Sequence, residues 1–433
     1  MRQLNPLTAP SVPHLVHIET TYRCNRNCLP CYNPCRDMPV DQGVVARIVD
    51  SISQSWVPHV YLIGGEPSLI GVDRLNDYAE KLAVTSSVTI VTNGEIYLDG
   101  LTDKLACLGI PLHGTPDTHD FIADAKGSYD RVLDSIARYV RCGFDVRCIP
   151  ILTKQNHDQM YEVIRTAYFL GMDSVFVDRY EEGGIGSRCP IDLKPTREEF
   201  HTALEQMIAA RDDFGIPVGW GTAIPYCLDP LLLQFNMTAD CGAGITFAAV
   251  NPQGDVRTCN QSDIVYGNVL ELPIEIIWRK PELSQFRDLS WVTEPCRSCP
   301  ILRQCLCGCK VDANCSPTYC IDYALREPGI TPCEISKESL PQETRVTIPR
   351  RLRHFKVNRY TRLNLAHDEP YLVTRYQTVE LNGTAVKLLQ DILQGVLTEQ
   401  ELIARHSSSI ERTEIRRFVS KLFLVGAIDK AGD

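Results

Sequence analysis

The sequence predicts an α/β fold, an open, partial (β/α)6 barrel followed by a cysteine-rich segment and a small C-terminal domain. From residue 14 to about 218, short β-like runs alternate with amphipathic stretches of helical period. Cys, Pro and Gly then interrupt every periodic run as far as about residue 340. A regular pattern of strands and helices returns in the tail. We therefore place the domains at residues 1–222, 223–340 and 346–433.

The first domain contains six strand-helix units. The predicted strands are residues 14–19, 60–63, 88–91, 110–113, 146–152 and 174–178, and the predicted helices are residues 41–54, 72–82, 99–107, 129–142, 155–171 and 196–214. Strands that alternate with helices in this way are parallel, with the helices as crossovers. Functional groups of such barrels lie at the carboxyl ends of the strands.

The tail is predicted to contain strands and three helices. The strands are residues 361–366 and 371–381, and the helices are residues 382–393, 398–406 and 411–425. Asn382 is a suitable N-cap for the first helix, and Thr398 with Glu401 forms a capping box for the second.

Composition excludes several classes of protein. The net charge of −10 argues against general nucleic-acid binding, and no apolar run approaches the ~18 residues of a membrane helix. The chain start lacks the apolar core of a signal peptide, so we expect a cytoplasmic protein. More than half of the 19 cysteines lie between Cys227 and Cys333. Because disulfides are disfavoured in the cytoplasm, this segment is expected to bind metal.

A cysteine triplet follows the first strand. Cys24, Cys28 and Cys31 have the spacing C-x3-C-x2-C. Three thiolates on one loop can hold three irons of a 4Fe–4S cube and leave the fourth iron open for a small molecule. The alternative for the triplet alone is a zinc site or unligated loop cysteines.

Further motifs follow the next strands, namely Gly64-Gly65-Glu66-Pro67, Thr92-Asn93-Gly94, His113-Gly114 and Gly127-Ser128. In this order, the triplet and the motifs resemble radical S-adenosylmethionine (SAM) enzymes over residues 12–220. The resemblance implies a partial TIM barrel, with SAM held by a contact from Glu66 to its amino group. The SAM-binding residues that it implies are Gly64, Gly65, Glu66, Pro67, Asn93, Ser128 and Tyr32. His113 is alternatively a polar residue lining the barrel.

The second cysteine set resembles the SPASM extension of radical SAM enzymes. It contains Cys241, Gly254 with Cys259 as G-x4-C, and Cys296-x2-Cys299-x5-Cys305-x3-Cys309. The resemblance implies two auxiliary iron–sulfur clusters, three clusters in all. Cys241, Cys259 and Cys309 would hold the first, with Cys227 or Cys307 as a possible extra ligand. The second would be held by Cys296, Cys299, Cys305 and a downstream cysteine, Cys320 in preference to Cys333 or Cys315.

The tail resembles the PqqD-like peptide-recognition domain, a small winged-helix-like fold. The matching segments are residues 379–385, 397–403 and 418–428. Such domains bind the leader of a precursor peptide by adding it as a strand beside the third helix. A winged-helix module for DNA is the alternative, which the 14 Lys or Arg against 10 Asp or Glu in residues 346–433 allow.

Together these resemblances imply an enzyme that modifies a ribosomally synthesised precursor peptide, forming a thioether or a C–C or C–O side-chain cross-link. Its expected partners are that peptide and a reductant such as flavodoxin or ferredoxin. One rival is an anaerobic sulfatase-maturing oxidase. Such enzymes carry Asp after the cysteine matching Cys259, where this chain has Asn260. The other is a non-catalytic iron–sulfur electron carrier or a peptide-binding regulator.

Overall fold

The computed structural model describes residues 9–310, 322–325, 354–367 and 369–431. Its first part is built on one curved sheet. The strands of this part are β1 (Leu15–Glu19), β2 (His59–Ile63), β3 (Ser87–Val91), β4 (Cys107–Ile110), β5 (Val146–Cys148), β6 (Ile151–Leu152), β7 (Ser174–Arg179) and β8 (Val218–Trp220). Strands β1 to β5, β7 and β8 are adjacent in that order and parallel. The predicted α/β barrel is therefore confirmed.

Amphipathic helices connect most of these strands. They are α1 (Gln42–Gln54), α2 (Val72–Ala83), α3 (Pro116–Ala123), α4 (Ser128–Arg141), α5 (Met160–Phe169) and α6 (Arg197–Phe214). Helix α1 begins after an Asp41 N-cap, and α6 begins with a capping box of Thr196 and Glu199. These side chains satisfy backbone N–H groups of the first turn, which explains where the helices begin.

Four predicted elements of the barrel are wrong. The strand predicted over residues 146–152 is the two strands β5 and β6, which Ile149 and Pro150 separate. Residues 99–107 do not form a helix, and the fourth strand is Cys107–Ile110 rather than 110–113. The run from Leu105 to Ile110 is buried throughout, and a short apolar run of this kind does not distinguish a helix from a strand. Helix α5 begins at Met160 rather than at 155, because the Asn156 side chain accepts from Thr153 N and holds the preceding residues in a turn.

The cysteine-rich segment extends the same sheet. Strand β9 (Phe247–Val250) pairs with β1 in parallel, and β10 (Asp255–Arg257) and β11 (Gly267–Asn268) follow in antiparallel order. Short helices complete it, α7 (Pro230–Gln234), α8 (Ile274–Trp278), α9 (Ser284–Asp288) and α10 (Leu302–Cys305). One apolar core runs from Val12 to Ala324 through the barrel and this segment.

The tail has a separate core beneath three helices, α11 (Gly383–Leu393), α12 (Glu399–His406) and α13 (Arg412–Leu424). Its strands are β12 (Phe355–Val357), β13 (Arg362–Asn364), β14 (Tyr371–Val373), β15 (Thr378–Glu380) and β16 (Ile428–Lys430). Strand β12 pairs with β16, and β13, β14 and β15 form an antiparallel sheet. The predicted strand 371–381 is two strands, because Thr374 N donates to Gln377 O and closes a turn between them.

The tail packs against the amino ends of the barrel strands. The Ser87 hydroxyl donates to Arg375 O at 2.8 Å, and Arg375 Nε donates to Ala106 O at 2.8 Å. The Tyr360 hydroxyl donates to Leu105 O, and the Tyr376 ring lies 4.7 Å from the Arg147 guanidinium carbon. Among the described residues, no helix is long and apolar enough to cross a membrane.

Candidate active site

The N-terminal cysteines lie on the loop that leaves the carboxyl end of β1. Cys24, Cys28 and Cys31 are partly exposed in the structure. Burial raises the pKa of the Cys28 thiol to about 12, Arg26 lowers it, and the thiols of Cys31 and Cys24 raise it. The three thiols are therefore near enough to affect one another's charge. A buried thiolate needs a positive partner, and the irons of a 4Fe–4S cluster supply one, so the donor set fits such a cluster.

The Gly64-Gly65 turn at the end of β2 packs against this loop. Gly65 N donates to Thr21 O at 2.6 Å, and the Tyr32 hydroxyl donates to Gly64 O at 3.1 Å. A Cβ atom on Gly64, whose φ is +147°, would lie 2.3 Å from Thr21 O, and one on Gly65 would lie 2.2 Å from Arg23 O. Glycine is therefore required at both positions.

Glu66 joins this turn to the end of β3. Its fully buried carboxylate accepts hydrogen bonds from Ser68 N at 2.9 Å, the Thr92 hydroxyl at 2.6 Å and Asn93 N at 2.7 Å. Pro67 opens the short helix Pro67–Ile70, for which Glu66 is the N-cap. A carboxylate offers about four acceptor positions, so these three donors leave room for one more.

A buried ion network holds the cysteine loop from the other side. Arg26, which stands between Cys24 and Cys28, donates to the Ser128 hydroxyl and forms a 2.7 Å ion pair with Glu95. Although burial raises the pKa of Glu95, hydrogen bonds from Arg131 and Ser128 and the Arg26 charge lower it to about 2. The hydroxyl of Ser128, a residue predicted to bind SAM, is therefore already hydrogen-bonded to Arg26. Sequence reasoning missed Arg26, for which its place inside the triplet was the signal.

The structure brings together the cysteines predicted for the first auxiliary site. Burial raises the pKa of the Cys309 thiol, and the negative charges of Glu181, Cys241, Asp322 and Cys259 raise it as well. Lys310 is fully buried beside them and donates from Nζ to Cys241 O at 2.9 Å. A buried ammonium is stable only near negative charge, which cluster thiolates would provide. The donor set therefore fits an anionic cluster, and sequence reasoning did not find Lys310.

The cysteines predicted for the second auxiliary site also lie together. Burial and the neighbouring Cys296 and Cys299 raise the pKa of the Cys305 thiol to about 11, although backbone hydrogen bonds from Tyr226 and Cys307 lower it. Cys307 is hydrogen-bonded to Cys296. Cys227 is partly exposed. The downstream candidates Cys315, Cys320 and Cys333 lie outside the described residues.

Within the described part of the chain, no three His, Cys, Asp or Glu side chains form a group that could hold a single metal ion. The ligands of a cluster bind different irons, and so they need not converge on one point.

The cysteine-rich segment is joined to the barrel by a buried polar network. Glu19, at the end of β1, forms a 2.6 Å ion pair with Arg257 and accepts from Asn260 Nδ2 at 2.9 Å. Asn260 Oδ1 lies 2.8 Å from His17 Nδ1, and the Tyr22 hydroxyl donates to Glu19 at 3.1 Å. The residue after Cys259 is thus held by two barrel side chains.

Comparisons with known proteins match the two halves of this architecture. The profile of the radical SAM superfamily matches residues 18–167, and that of the SPASM iron-sulfur cluster-binding domain matches residues 241–300. The first match contains the N-terminal triplet, and the second contains Cys241, Cys259, Cys296 and Cys299.

Curated relatives match across both regions. The PqqA peptide cyclase of Gluconobacter oxydans is 26% identical over 71% of this chain and 88% of its own length. The mycofactocin maturase MftC of Mycolicibacterium smegmatis is 28% identical, over 67% and 76%.

A solved structure shares the fold. SuiB of Streptococcus suis, bound to its precursor peptide SuiA, has a TM-score of 0.61 at 21% identity, covering 73% of this chain and 76% of its own. The matched profiles and the relatives point to the same two domains as the cysteine loop and its glycine turn. The chain is an enzyme with a radical SAM domain followed by an iron–sulfur cluster-binding SPASM domain.

Proposed function

We propose that this enzyme modifies a ribosomally synthesised precursor peptide and closes a thioether or a C–C or C–O cross-link between its side chains. The observation that carries this proposal is the relationship to a PqqA peptide cyclase and a mycofactocin maturase over more than two thirds of the chain. The tail, which resembles a peptide-recognition domain, adds support.

SAM would bind between the cysteine loop and the Glu66 turn. The free acceptor position of Glu66 suits the SAM ammonium, and the bonds from Thr92 and Asn93 fix the carboxylate. A reduced 4Fe–4S cluster held by Cys24, Cys28 and Cys31 would supply an electron to SAM, and so the radical chemistry that abstracts a hydrogen atom. Arg26 holds the loop in place by its bonds to Glu95 and Ser128.

Two auxiliary clusters complete the proposed set of three. Cys241, Cys259 and Cys309 would bind one, with Cys227 or Cys307 as an extra ligand. Cys296, Cys299 and Cys305 would bind the other, together with Cys320. Buried Lys310 would place a positive charge beside the first. A flavodoxin or ferredoxin would supply electrons.

The tail would bind the leader of the peptide along β15. This strand pairs with β14 and with no other strand in the described residues, so one edge is open. Leu381 N donates inward to Pro370 O. Since N–H groups alternate along an antiparallel strand, those of Thr378 and Glu380 face outward and can pair with a leader strand.

The rival functions are less consistent with the site. Asn260 stands where sulfatase-maturing oxidases carry Asp, and an amide held by His17 and Glu19 cannot accept a proton as a carboxylate does. A non-catalytic electron carrier does not bind SAM, so it would not need a buried Glu66 carboxylate held by Thr92 and Asn93.

The test uses the reconstituted, reduced enzyme under anaerobic conditions. It is incubated with SAM and a synthetic peptide encoded by a short reading frame beside the gene. We expect 5′-deoxyadenosine to form and the peptide to lose the mass of two hydrogens. The variant with Cys24, Cys28 and Cys31 replaced by Ala serves as the inactive control. SAM cleavage that leaves every such peptide unchanged would contradict the proposal.

A further inference from the structure

The barrel interior contains a carboxylate that the proposed cofactor sites do not use. Asp178 lies near the carboxyl end of β7, where Val175, Val177 and Arg179 are buried on the outer face. Side chains alternate along a strand, so Asp178 lies on the inner face with Phe176. Asp178 as a whole is half-buried there.

Contacts across the sheet show that this inner face lines the interior. Arg147 of β5 donates to the Tyr61 hydroxyl of β2 at 3.1 Å, although β3 and β4 separate the two strands. The Arg147 guanidinium carbon lies 4.5 Å from the centre of the Phe176 ring, and His17 of β1 stacks on Tyr61. Asp178 is one layer nearer than Phe176 to the carboxyl ends of the strands, where the cysteine loop lies.

The surroundings of Asp178 leave its carboxylate available. Among the described residues, none donates a hydrogen bond to it. The carboxylate packs against the Gly221 backbone, where a Cβ atom would lie 2.2 Å from Asp178 Oδ1, so a side chain at position 221 would displace it. A carboxylate that was only structural would be expected to have donors.

Its charge environment suits proton transfer near neutral pH. Burial raises the pKa of Asp178 to about 7, against the lowering effect of Arg147. The other titratable groups facing the interior are His17, whose pKa burial lowers to about 4, Tyr61, and Glu19, which is paired with Arg257. Ile151 lies opposite Asp178 in the register of β6 and carries no charge. Among the described residues, Arg147 is the cation that lowers the pKa of Asp178.

We propose that Asp178 is the proton acceptor for the peptide residue that enters the barrel, an inference that rests on the proposed function. An O–H, N–H or S–H bond of the peptide side chain breaks, its proton bonds to a carboxylate oxygen of Asp178, and the electron pair stays on the peptide atom. The peptide residue is thus one with an acidic hydrogen, such as a phenol, thiol or indole.

The test compares Asp178→Asn and Asp178→Glu with wild type, and uses Asp192→Asn, which removes an exposed carboxylate, as the matched control. We expect Asp178→Asn to slow peptide modification about 100-fold and to abolish its rise around pH 7. Asp178→Glu should restore part of the rate and the pH dependence. Formation of 5′-deoxyadenosine without peptide should be unchanged, which shows that the variant is folded and loaded.

A second measurement needs no peptide. The pKa of Asp178 in the folded protein lies above the value of about 3.9 for an unfolded chain, so wild type loses stability as pH rises towards 7. Asp178→Asn should therefore gain in melting temperature over wild type across this range, and Asp192→Asn should not. A wild-type rate and pH profile in Asp178→Asn, or equal melting curves, would overturn the role of Asp178 and leave peptide modification intact. Failure of wild type to modify any peptide would instead overturn the proposed function together with this role.

Discussion

Glu66 links two motifs that stand 26 residues apart, because its carboxylate accepts from the Thr92 hydroxyl as well as from backbone N–H groups. The Gly64-Gly65 turn brings that carboxylate against the cysteine loop, and Arg26 fixes the same loop from its far side. The geometry of the proposed SAM site thus depends on a few buried side chains. Each of them can be changed singly.

Glu66→Gln should weaken SAM binding about 10- to 100-fold while the iron content is kept. A hydrogen bond to a charged group contributes about 1.5–3 kcal/mol, and the amide also places a donor where Ser68, Thr92 and Asn93 already donate. Equilibrium binding of SAM to the reconstituted protein measures the effect. Glu80→Gln, on the exposed face of α2, is the control, and unchanged affinity in Glu66→Gln would remove this residue from the site.

The Arg26–Glu95 pair should contribute to stability in a pH-dependent way. The pKa of Glu95 falls from its ordinary 4.5 to about 2 in the folded protein, so its contribution is present above pH 4.5 and is lost as pH falls towards 2. We expect Glu95→Gln to melt below wild type at pH 7 and the difference to shrink in acid. Glu162→Gln, which removes an exposed pair with Arg165, should show no such trend. A difference that is constant with pH would contradict this assignment.

Strand β15 is the element on which leader recognition depends in this account. Glu380→Pro removes an outward-facing N–H and leaves the inward ladder intact, so leader binding to the full-length enzyme should fall about tenfold. Glu380→Ala keeps the N–H and should bind like wild type. Fluorescence anisotropy of a labelled leader peptide measures both variants. Equal binding by the Pro and Ala variants would mean that the leader does not add to this edge.

The sequence predicted elements well where chemistry fixes their ends. The helix starts predicted at residues 41, 196 and 382 are confirmed, and the structure shows that Asp41, Thr196 and Asn382 are the N-caps there. It failed where burial is continuous, as in the run from Leu105 to Ile110, and where strands are only two to four residues long, as in β8 to β11. Strands β8 and β9 form because they pair with β7 and β1, which are distant in sequence, and local periodicity does not record such pairing.

The residues of the candidate site also differ in how well the sequence predicts them. The triplet and the Gly64-Gly65-Glu66 turn could be predicted because each is a short continuous motif, and the second cysteine set because its spacing resembles that of a known domain. Spacing gave no sign of Asp178, Lys310 or the Glu19–Arg257 pair. These residues depend on strands that meet only after folding, and each looks like an ordinary charged residue in the linear sequence.

In the whole molecule, the tail and the cysteine loop lie at opposite ends of the barrel. Tyr360, Arg375 and Tyr376 pack at the amino ends of the strands, whereas Cys24 and Glu66 follow carboxyl ends. A five-residue strand spans about 17 Å, so a precursor bound by the tail must extend along the barrel to reach the proposed site.

Precursor length should therefore limit modification independently of leader affinity. An extended chain covers about 3.3–3.6 Å per residue, so a spacer of fewer than about five residues between leader and modified residue is too short. A series of peptides with shortened spacers should bind equally well in anisotropy, while modification, followed by mass spectrometry, stops below that length. A glycine-serine spacer of the original length is the control. Full modification with the spacer deleted would contradict the opposed arrangement.

The most direct test of peptide modification by this radical enzyme is the fate of the hydrogen atom. A precursor peptide deuterated in its core side chains is incubated anaerobically with the reduced enzyme and SAM, and the 5′-deoxyadenosine is analysed by mass spectrometry. We predict that deuterium appears in 5′-deoxyadenosine in proportion to modified peptide, and only when the leader is present. Unlabelled 5′-deoxyadenosine beside a modified peptide deuterated at every core carbon would contradict the account.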